Sequence, residues 1–159
     1  MKASILYRAA SVLLVLFALG HTLGFRQSDP AWGVDQLLAS IQSTPFTIQG
    51  FTRTYWDFFL GAGFTVGVLY LFAALLAWQL GALPEETLAL MPVAVWGFAG
   101  CFAAITVLSW MYLFWIPTVM SGLITVCLVA GGWRSRSPSQ RQRGMGRAPS
   151  MCLEQRSDS

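Results

Sequence analysis

The chain contains three long stretches that are both uncharged and strongly apolar, and the spacing of the charged residues around them carries the main structural information in the sequence. The stretches cover residues 9–25, 58–84 and 87–133. A helix crosses the hydrocarbon core of a bilayer with about 20 residues, so each of the first two stretches has the length of one crossing. The third has the length of two crossings, and Pro117 divides it, because proline suits the first turn of a helix but not its interior. The pattern predicts an all-α fold, a four-helix transmembrane bundle.

The predicted helices form a single transmembrane domain, residues 1–133. Their approximate bounds are residues 5–25, 55–80, 87–114 and 117–133. Residues 134–159 are rich in arginine and serine and contain no long apolar stretch, so we predict a disordered tail there.

The distribution of basic residues predicts the orientation of the bundle. Lys2 and Arg8 precede the first helix, and six arginines follow the last one: Arg134, Arg136, Arg141, Arg143, Arg147 and Arg156. Because basic residues favour the cytoplasmic side, both termini are predicted to be cytoplasmic, which requires an even number of crossings. The predicted location is the bacterial inner (plasma) membrane.

With this orientation, the segment between helices 1 and 2, from Arg26 to Thr54, is an extracytoplasmic loop. Within it, five apolar residues have the spacing of a short amphipathic helix: Trp32, Val34, Leu37, Leu38 and Ile41. We expect this helix to lie at the membrane surface or to cap the bundle.

The composition excludes several classes of protein. Of the 159 residues, 55% are hydrophobic and 11% are charged, whereas roughly 25% are charged in soluble domains. The net charge of +3 comes mainly from the tail, so we predict no nucleic-acid partner. His21 is the only histidine, which excludes bis-histidine haem ligation within one chain. We predict no cofactor and no metal site, and we interpret Cys101 and Cys127 as packing residues.

The first predicted helix has an alternative interpretation as a cleaved signal peptide. Basic residues precede a short apolar stretch, and Ala18, Leu19 and Gly20 resemble a cleavage site. Against this, Gly20 and Gly24 have the spacing of a helix-packing face, which a discarded segment would not need. We therefore expect the first helix to remain in the mature protein.

A cluster of polar and aromatic residues is predicted at the outer end of the bundle. It consists of His21, Arg53, Tyr55, Trp56 and Asp57. A carboxylate exposed to hydrocarbon is costly, so Asp57 should be paired or hydrated, and its candidate partners are Arg53 one helical turn away and His21 across the interface. Three interpretations remain open: an interfacial clamp with an aromatic belt, a ligand-binding pocket open to the outside, or residues that never meet.

Two classes of function remain open from the residues. In the first, the protein is a structural or binding bundle, whose partners are membrane lipids, another protein's helix or a second copy of itself. In the second, it is a small membrane enzyme or a proton-coupled carrier, in which His21 and Asp57 exchange protons and Arg53 holds an anion. The middles of the predicted helices contain few polar residues, which is unlike a carrier. We therefore favour the first class.

Three stretches of the chain resemble a known group of proteins. They are FALGHTLGF, RTYWDFFLGAGFTVGVLYLFAALLAWQLG and VLSWMYLFWIPTVMSG. Through the HTLGF and R-x-YWDF motifs, residues 1–133 resemble an uncharacterised bacterial family of small four-helix membrane proteins. The resemblance implies an inner-membrane location and a retained first helix, and it brings no activity. The arginine-rich tail looks longer than the usual ending of that family.

Overall fold

A computed structural model describes residues 2–135, which contain six α-helices, one 3-10 turn and two β-strands. In chain order these are α1 (Ala3–Gly24), the 3-10 turn (Pro30–Trp32), α2 (Asp35–Ser43), β1 (Pro45–Ile48), β2 (Phe51–Thr54), α3 (Tyr55–Ala82), α4 (Glu85–Ala89), α5 (Pro92–Tyr112) and α6 (Trp115–Arg134). Apart from Arg134 and Ser135, the predicted tail lies outside the described residues.

Four of these helices are long and apolar enough, by length and composition, to cross a membrane: α1, α3, α5 and α6. The prediction of an all-α fold with four apolar helices is therefore confirmed. The third long helix differs from its predicted bounds, because it begins at Pro92 and not at residue 87. Pro92 occupies the first turn, where its missing N–H is not needed, and Glu85–Ala89 forms the separate short helix α4.

Helix α1 occupies the centre of the arrangement, where it packs against both α3 and α6. Helix α5 packs against α6, and it meets α3 through the rings of Tyr70 and Phe102, whose centroids are 6.4 Å apart. Buried residues recur every three or four positions along α1 and so form one face of the helix. They are Ala3, Leu6, Tyr7, Ala10, Ser11, Leu14, Phe17 and Ala18. The first helix of the chain thus supplies much of the core.

Two serine hydroxyls hold α1 against the backbone of α3. The Ser4 hydroxyl donates to the carbonyl oxygen of Gly81 at 2.6 Å, and the Ser11 hydroxyl donates to that of Ala74 at 2.8 Å. Hydrogen bonds to backbone carbonyls require close helix approach, which the small residues on α3 permit. The two bonds also show that the helices are antiparallel and fix their relative register.

The glycine pair on α1 that was predicted as a packing face does not pack within this chain. Gly20 and Gly24 are exposed, and a Cβ added to either would meet no atom within 4 Å among the described residues. Small residues do allow close approach elsewhere, as at Gly131, where an added Cβ would lie 3.1 Å from the Tyr7 ring. Within residues 2–135, no helix packs on Gly20 and Gly24, because α1 turns a different face to its neighbours.

The helices differ in length, and α3 extends beyond α1 at the end that carries the long loop. Helix α3 has 28 residues and α1 has 22, which corresponds to about 42 Å and about 33 Å at 1.5 Å per residue. The hydrocarbon core of a bilayer is about 30 Å thick. We call the end of the helical arrangement formed by Gly24, Tyr55 and the α5–α6 turn the loop end. The first turns of α3 project there beyond the other helices.

The segment between α1 and α3 folds over the loop end and contains a β-hairpin that the sequence patterns did not predict. Strands β1 and β2 are antiparallel, with Ile48 opposite Phe51. The two turn residues, Gln49 and Gly50, have φ values of 51° and 83°. Positive φ at both positions is the geometry of the two-residue turn that matches strand twist, and glycine reaches it without strain.

Candidate functional site at the loop end

Asp57 begins α3 as part of a capping box with Thr54. Its Oδ2 atom accepts hydrogen bonds from the Thr54 backbone N–H at 2.8 Å and from the Thr54 hydroxyl at 3.1 Å. In return, the Asp57 N–H donates to the Thr54 hydroxyl oxygen at 3.2 Å. The pair satisfies backbone donors at the helix start, and the carboxylate lies at the favourable end of the helix dipole. Asp57 thus has a partner within its own first turn.

Arg53 lies on strand β2 and not one turn before Asp57 on a helix. Its guanidinium donates to the carbonyl oxygen of Thr52 at 2.8 Å and lies 5.6 Å from the centroid of the Phe51 ring. Its charge attracts the Asp57 carboxylate, but the described residues contain no salt bridge between the two. The sequence suggested an ion pair because Arg53 and Asp57 are four positions apart, which is one turn of a helix. Since α3 begins only at Tyr55, Arg53 is not on the helix and this spacing does not apply.

His21 joins the last turn of α1 to α3. Its Nε2 atom lies 3.0 Å from the carbonyl oxygen of Gly63, and a carbonyl accepts only from a protonated nitrogen. The imidazole stacks on the Phe25 ring with centroids 5.3 Å apart, and it meets the Tyr70 ring edge-on at 6.0 Å. His21 therefore acts as a contact between helices at this end of the bundle.

The structure does not bring His21 and Asp57 together. Gly63 follows Asp57 by six positions on α3, which corresponds to about 9 Å along the helix axis. The Asp57 carboxylate is directed to Thr54, at the start of the helix. The two side chains thus have separate structural roles: His21 joins α1 to α3, and Asp57 caps the start of α3.

Tyr55 and Trp56 are adjacent in sequence but contact different parts of the loop. Tyr55 is exposed and packs on Phe46 of the hairpin, with ring centroids 4.9 Å apart. Trp56 is half-buried and stacks on Phe59 at 5.3 Å. Trp56 also lines a cavity, and it is the one member of the predicted cluster that does so.

This cavity, of about 260 Å³, lies between the long loop and the projecting start of α3. Aromatic side chains form one part of its wall: Phe25, Trp32, Trp56 and Phe59. Polar side chains form another part: Arg26, Gln27, Ser28 and Gln42. Val34 and Leu38 complete the lining. We call this the loop-end cavity.

Arg26 contributes the only charge to the lining of the loop-end cavity within the described part of the chain. Its guanidinium lies 5.5 Å from the centroid of the Phe64 ring, which is favourable because aromatic faces attract cations. The sequence patterns missed Arg26 as a site residue. The sequence feature that could have indicated a site here was the predicted amphipathic helix in the long loop. It corresponds to α2, and its residues Leu38 and Gln42 line the cavity beside Arg26.

Residues 2–135 contain no group of three or more His, Cys, Asp or Glu side chains that could hold a metal ion. Cys101 is exposed and Cys127 is partly buried, and both are free thiols.

Comparison with protein-family models, with curated proteins and with solved structures found no match for this chain.

Proposed function

We propose that this chain is a multi-pass membrane protein that binds an amphiphilic molecule in its loop-end cavity. The observation that carries the proposal is the lining of the cavity, which combines aromatic rings with hydrogen-bonding and cationic groups. Such a lining is complementary to a molecule with an apolar body and a polar head, because binding sites combine apolar walls with a few placed polar groups. A membrane lipid has this chemistry.

The depth of the loop-end cavity supports a lipid as the ligand. Tyr7 of α1 packs on Gly131 of α6, and both helices rise 1.5 Å per residue in opposite directions. By this register His21 is about level with Pro117, near the α5–α6 turn. The cavity begins one turn beyond, at Phe25, and therefore lies close to the membrane boundary.

Aromatic residues around the α5–α6 turn support the same boundary. Trp110, Tyr112 and Trp115 are each at least 70% exposed. Exposed tryptophan and tyrosine side chains concentrate where hydrocarbon meets the lipid head groups. The loop-end cavity is then at the depth of the head groups and within reach of lipids in one leaflet.

The charges support an orientation with the loop end outside. Lys2, Arg8 and Arg134 lie at the opposite end of the bundle, where α1 begins and α6 ends. Basic residues favour the cytoplasmic side, so the proposed location is the bacterial inner membrane with both termini cytoplasmic. The resemblance to a family of small four-helix membrane proteins supports the same location.

The geometry supports a binding role better than an enzyme or a proton-coupled carrier that uses His21 and Asp57. Proton exchange requires an acid and a base within hydrogen-bond reach. Here His21 contacts Gly63, and Asp57 contacts Thr54. Both side chains stabilise the framework around the loop-end cavity.

Native mass spectrometry of the protein, purified from membranes in a mild neutral detergent, tests the proposal. The wild-type protein should retain molecules with the mass of a membrane lipid. Trp56→Ala, which removes a cavity wall, should lose them, whereas Trp110→Ala should retain them because Trp110 lies outside the cavity. A wild-type protein without bound lipid, or equal retention by the two variants, would contradict the proposal.

A further inference from the structure

Arg26 stands out among the residues of the loop-end cavity because the hydrogen-bonding capacity of its guanidinium is unused within the described part of the chain. The guanidinium lies over the Phe64 ring, and it forms no hydrogen bond or salt bridge with the described residues. An arginine side chain carries five N–H donors in a planar fork. Stacking on an aromatic ring limits the positions of this fork and leaves its donors at the rim free.

The nearest acidic side chain in sequence already has a partner of its own. Asp29 Oδ1 accepts a hydrogen bond from the backbone N–H of Ala31 at 2.9 Å, which caps the 3-10 turn. Asp35 lies in the first turn of α2 and does not line the cavity. The cavity therefore presents one positive charge with no acidic side chain in its lining.

The other polar groups of the cavity are neutral. Gln27, Ser28 and Gln42 each carry donors that can bind an oxygen atom. A guanidinium with additional neutral donors around it matches a phosphate group, which has several acceptor oxygens and which arginine binds with two parallel hydrogen bonds. The depth of the cavity places this set of donors among lipid head groups.

We propose that the loop-end cavity binds the head group of an anionic phospholipid, with Arg26 contacting the phosphate and with Trp56 packing against the adjoining apolar part of the lipid. This rests on the proposed function and adds the class of ligand. Zwitterionic lipids also carry a phosphate, but their ammonium group would enter a cavity that already holds an unpaired cation. We therefore expect a preference for a lipid with net negative charge.

The structure offers a matched control for Arg26. Arg53 is also exposed, and its guanidinium also stacks on a phenylalanine, at 5.6 Å compared with 5.5 Å for Arg26. Arg53 does not line the loop-end cavity. The variants Arg26→Gln and Arg53→Gln thus remove the same charge at the same end of the bundle, and only one of them changes the cavity.

The experiment measures bound lipid by native mass spectrometry of the full chain after incubation with equal amounts of phosphatidylglycerol and phosphatidylcholine that carry identical acyl chains. The wild-type protein and Arg53→Gln should bind phosphatidylglycerol with a preference of about tenfold, and Arg26→Gln should lose most of it. A factor of ten corresponds to about 1.4 kcal/mol, close to the lower end of the range of about 1.5–3 kcal/mol for a hydrogen bond to a charged group. Circular dichroism should show the same helix content in all three proteins.

The outcomes separate this inference from the proposed function. Lipid binding without a preference for phosphatidylglycerol, or with an unchanged preference in Arg26→Gln, would overturn the anionic head group and leave the proposed function standing. Absence of bound lipid from the wild-type protein would overturn both. Displacement of phosphatidylglycerol by millimolar inorganic phosphate or glycerol phosphate would show that the site recognises a free phosphate and would overturn the lipid assignment.

Discussion

The Nε2 atom of His21 lies 3.0 Å from the carbonyl oxygen of Gly63, and this contact joins the last turn of α1 to α3. Beyond the end of α1 at Gly24, the first turns of α3 support the hairpin and the loop-end cavity. The single histidine of the chain thus lies at the base of the candidate site. Its position next to Phe25, which lines the cavity, makes it a supporting residue for that wall.

Replacement of His21 should reveal this supporting role. His21→Phe keeps a ring against Phe25 but removes the donor to Gly63, so it should destabilise the protein by about 1 kcal/mol, the net value of a typical hydrogen bond. His21→Gln retains an N–H donor and should stay closer to the wild type. Reversible unfolding in detergent, followed by circular dichroism, measures the difference. Equal stability of the wild type and His21→Phe would show that the hydrogen bond contributes nothing.

Gly63 should be intolerant of a side chain, unlike its neighbour Gly61. A Cβ at Gly63 would fall on the Phe25 ring, whereas a Cβ at Gly61 would meet no described atom within 4 Å. We expect Gly63→Ala to destabilise the protein by about 1–3 kcal/mol, as overpacking does. Gly61→Ala should stabilise it by about 0.5–1 kcal/mol, because alanine is a better helix former. Thermal unfolding in one detergent compares the two, and a shift of the same sign in both would contradict the Phe25 contact.

The capping box predicts which residue is coupled to Asp57. Thr54→Ala should cost about 1 kcal/mol, as loss of an N-cap does. The double variant Thr54→Ala/Asp57→Ala should be less destabilised than the sum of its single changes, because each change alone already removes the hydrogen bond from the Thr54 hydroxyl to the Asp57 carboxylate. Arg53→Ala and Asp57→Ala should be additive. The free energies of unfolding of the single and double variants measure both couplings. A large coupling between Arg53 and Asp57 would support the ion pair that the sequence suggested.

The central position of α1 predicts that this helix is retained in the mature protein. Its loss would remove the packing partner of both α3 and α6. N-terminal sequencing of protein purified from membranes should therefore find no cleavage after Gly20, and a mature chain that begins at His21 would contradict the prediction.

The proposed orientation has an independent test. A reporter enzyme that is active only outside the cytoplasm should be active when fused after Ser43 and inactive when fused after Glu86. The reverse pattern would place the loop end in the cytoplasm. Equal activity at both sites would contradict a single membrane crossing by α3 between them.

The sequence predicted the apolar helices well because charge spacing is a local signal. The capping box also has a local signal, since Thr54 and Asp57 have its spacing before an apolar run, but the sequence patterns placed Asp57 in a polar cluster and did not predict the cap. The hairpin also has a local signal, because Gln49 and Gly50 separate two short stretches of alternating residues. These features could be found without knowledge of how the helices pack.

The contacts between helices could not be predicted in the same way. The hydrogen bonds of Ser4, Ser11 and His21 to carbonyls of α3 depend on the register of two helices whose partners are about 40 or more positions away in sequence. A rotation of α1 by one residue would direct a different face toward α3. The exposure of Gly20 depends on the orientation of α1 about its own axis, and the role of Arg26 depends also on the path of the loop.

The central claim is that the loop-end cavity holds an amphiphilic ligand, and the most direct measurement is made at Trp56 itself. Solution NMR of the protein in phosphatidylglycerol nanodiscs can detect nuclear Overhauser effects between the Trp56 indole protons and nearby molecules. We expect cross-peaks from Trp56 to lipid glycerol and acyl protons, and their loss when Trp32→Ala removes another aromatic ring from the lining of the cavity. Cross-peaks from the Trp56 indole to water alone would contradict the account.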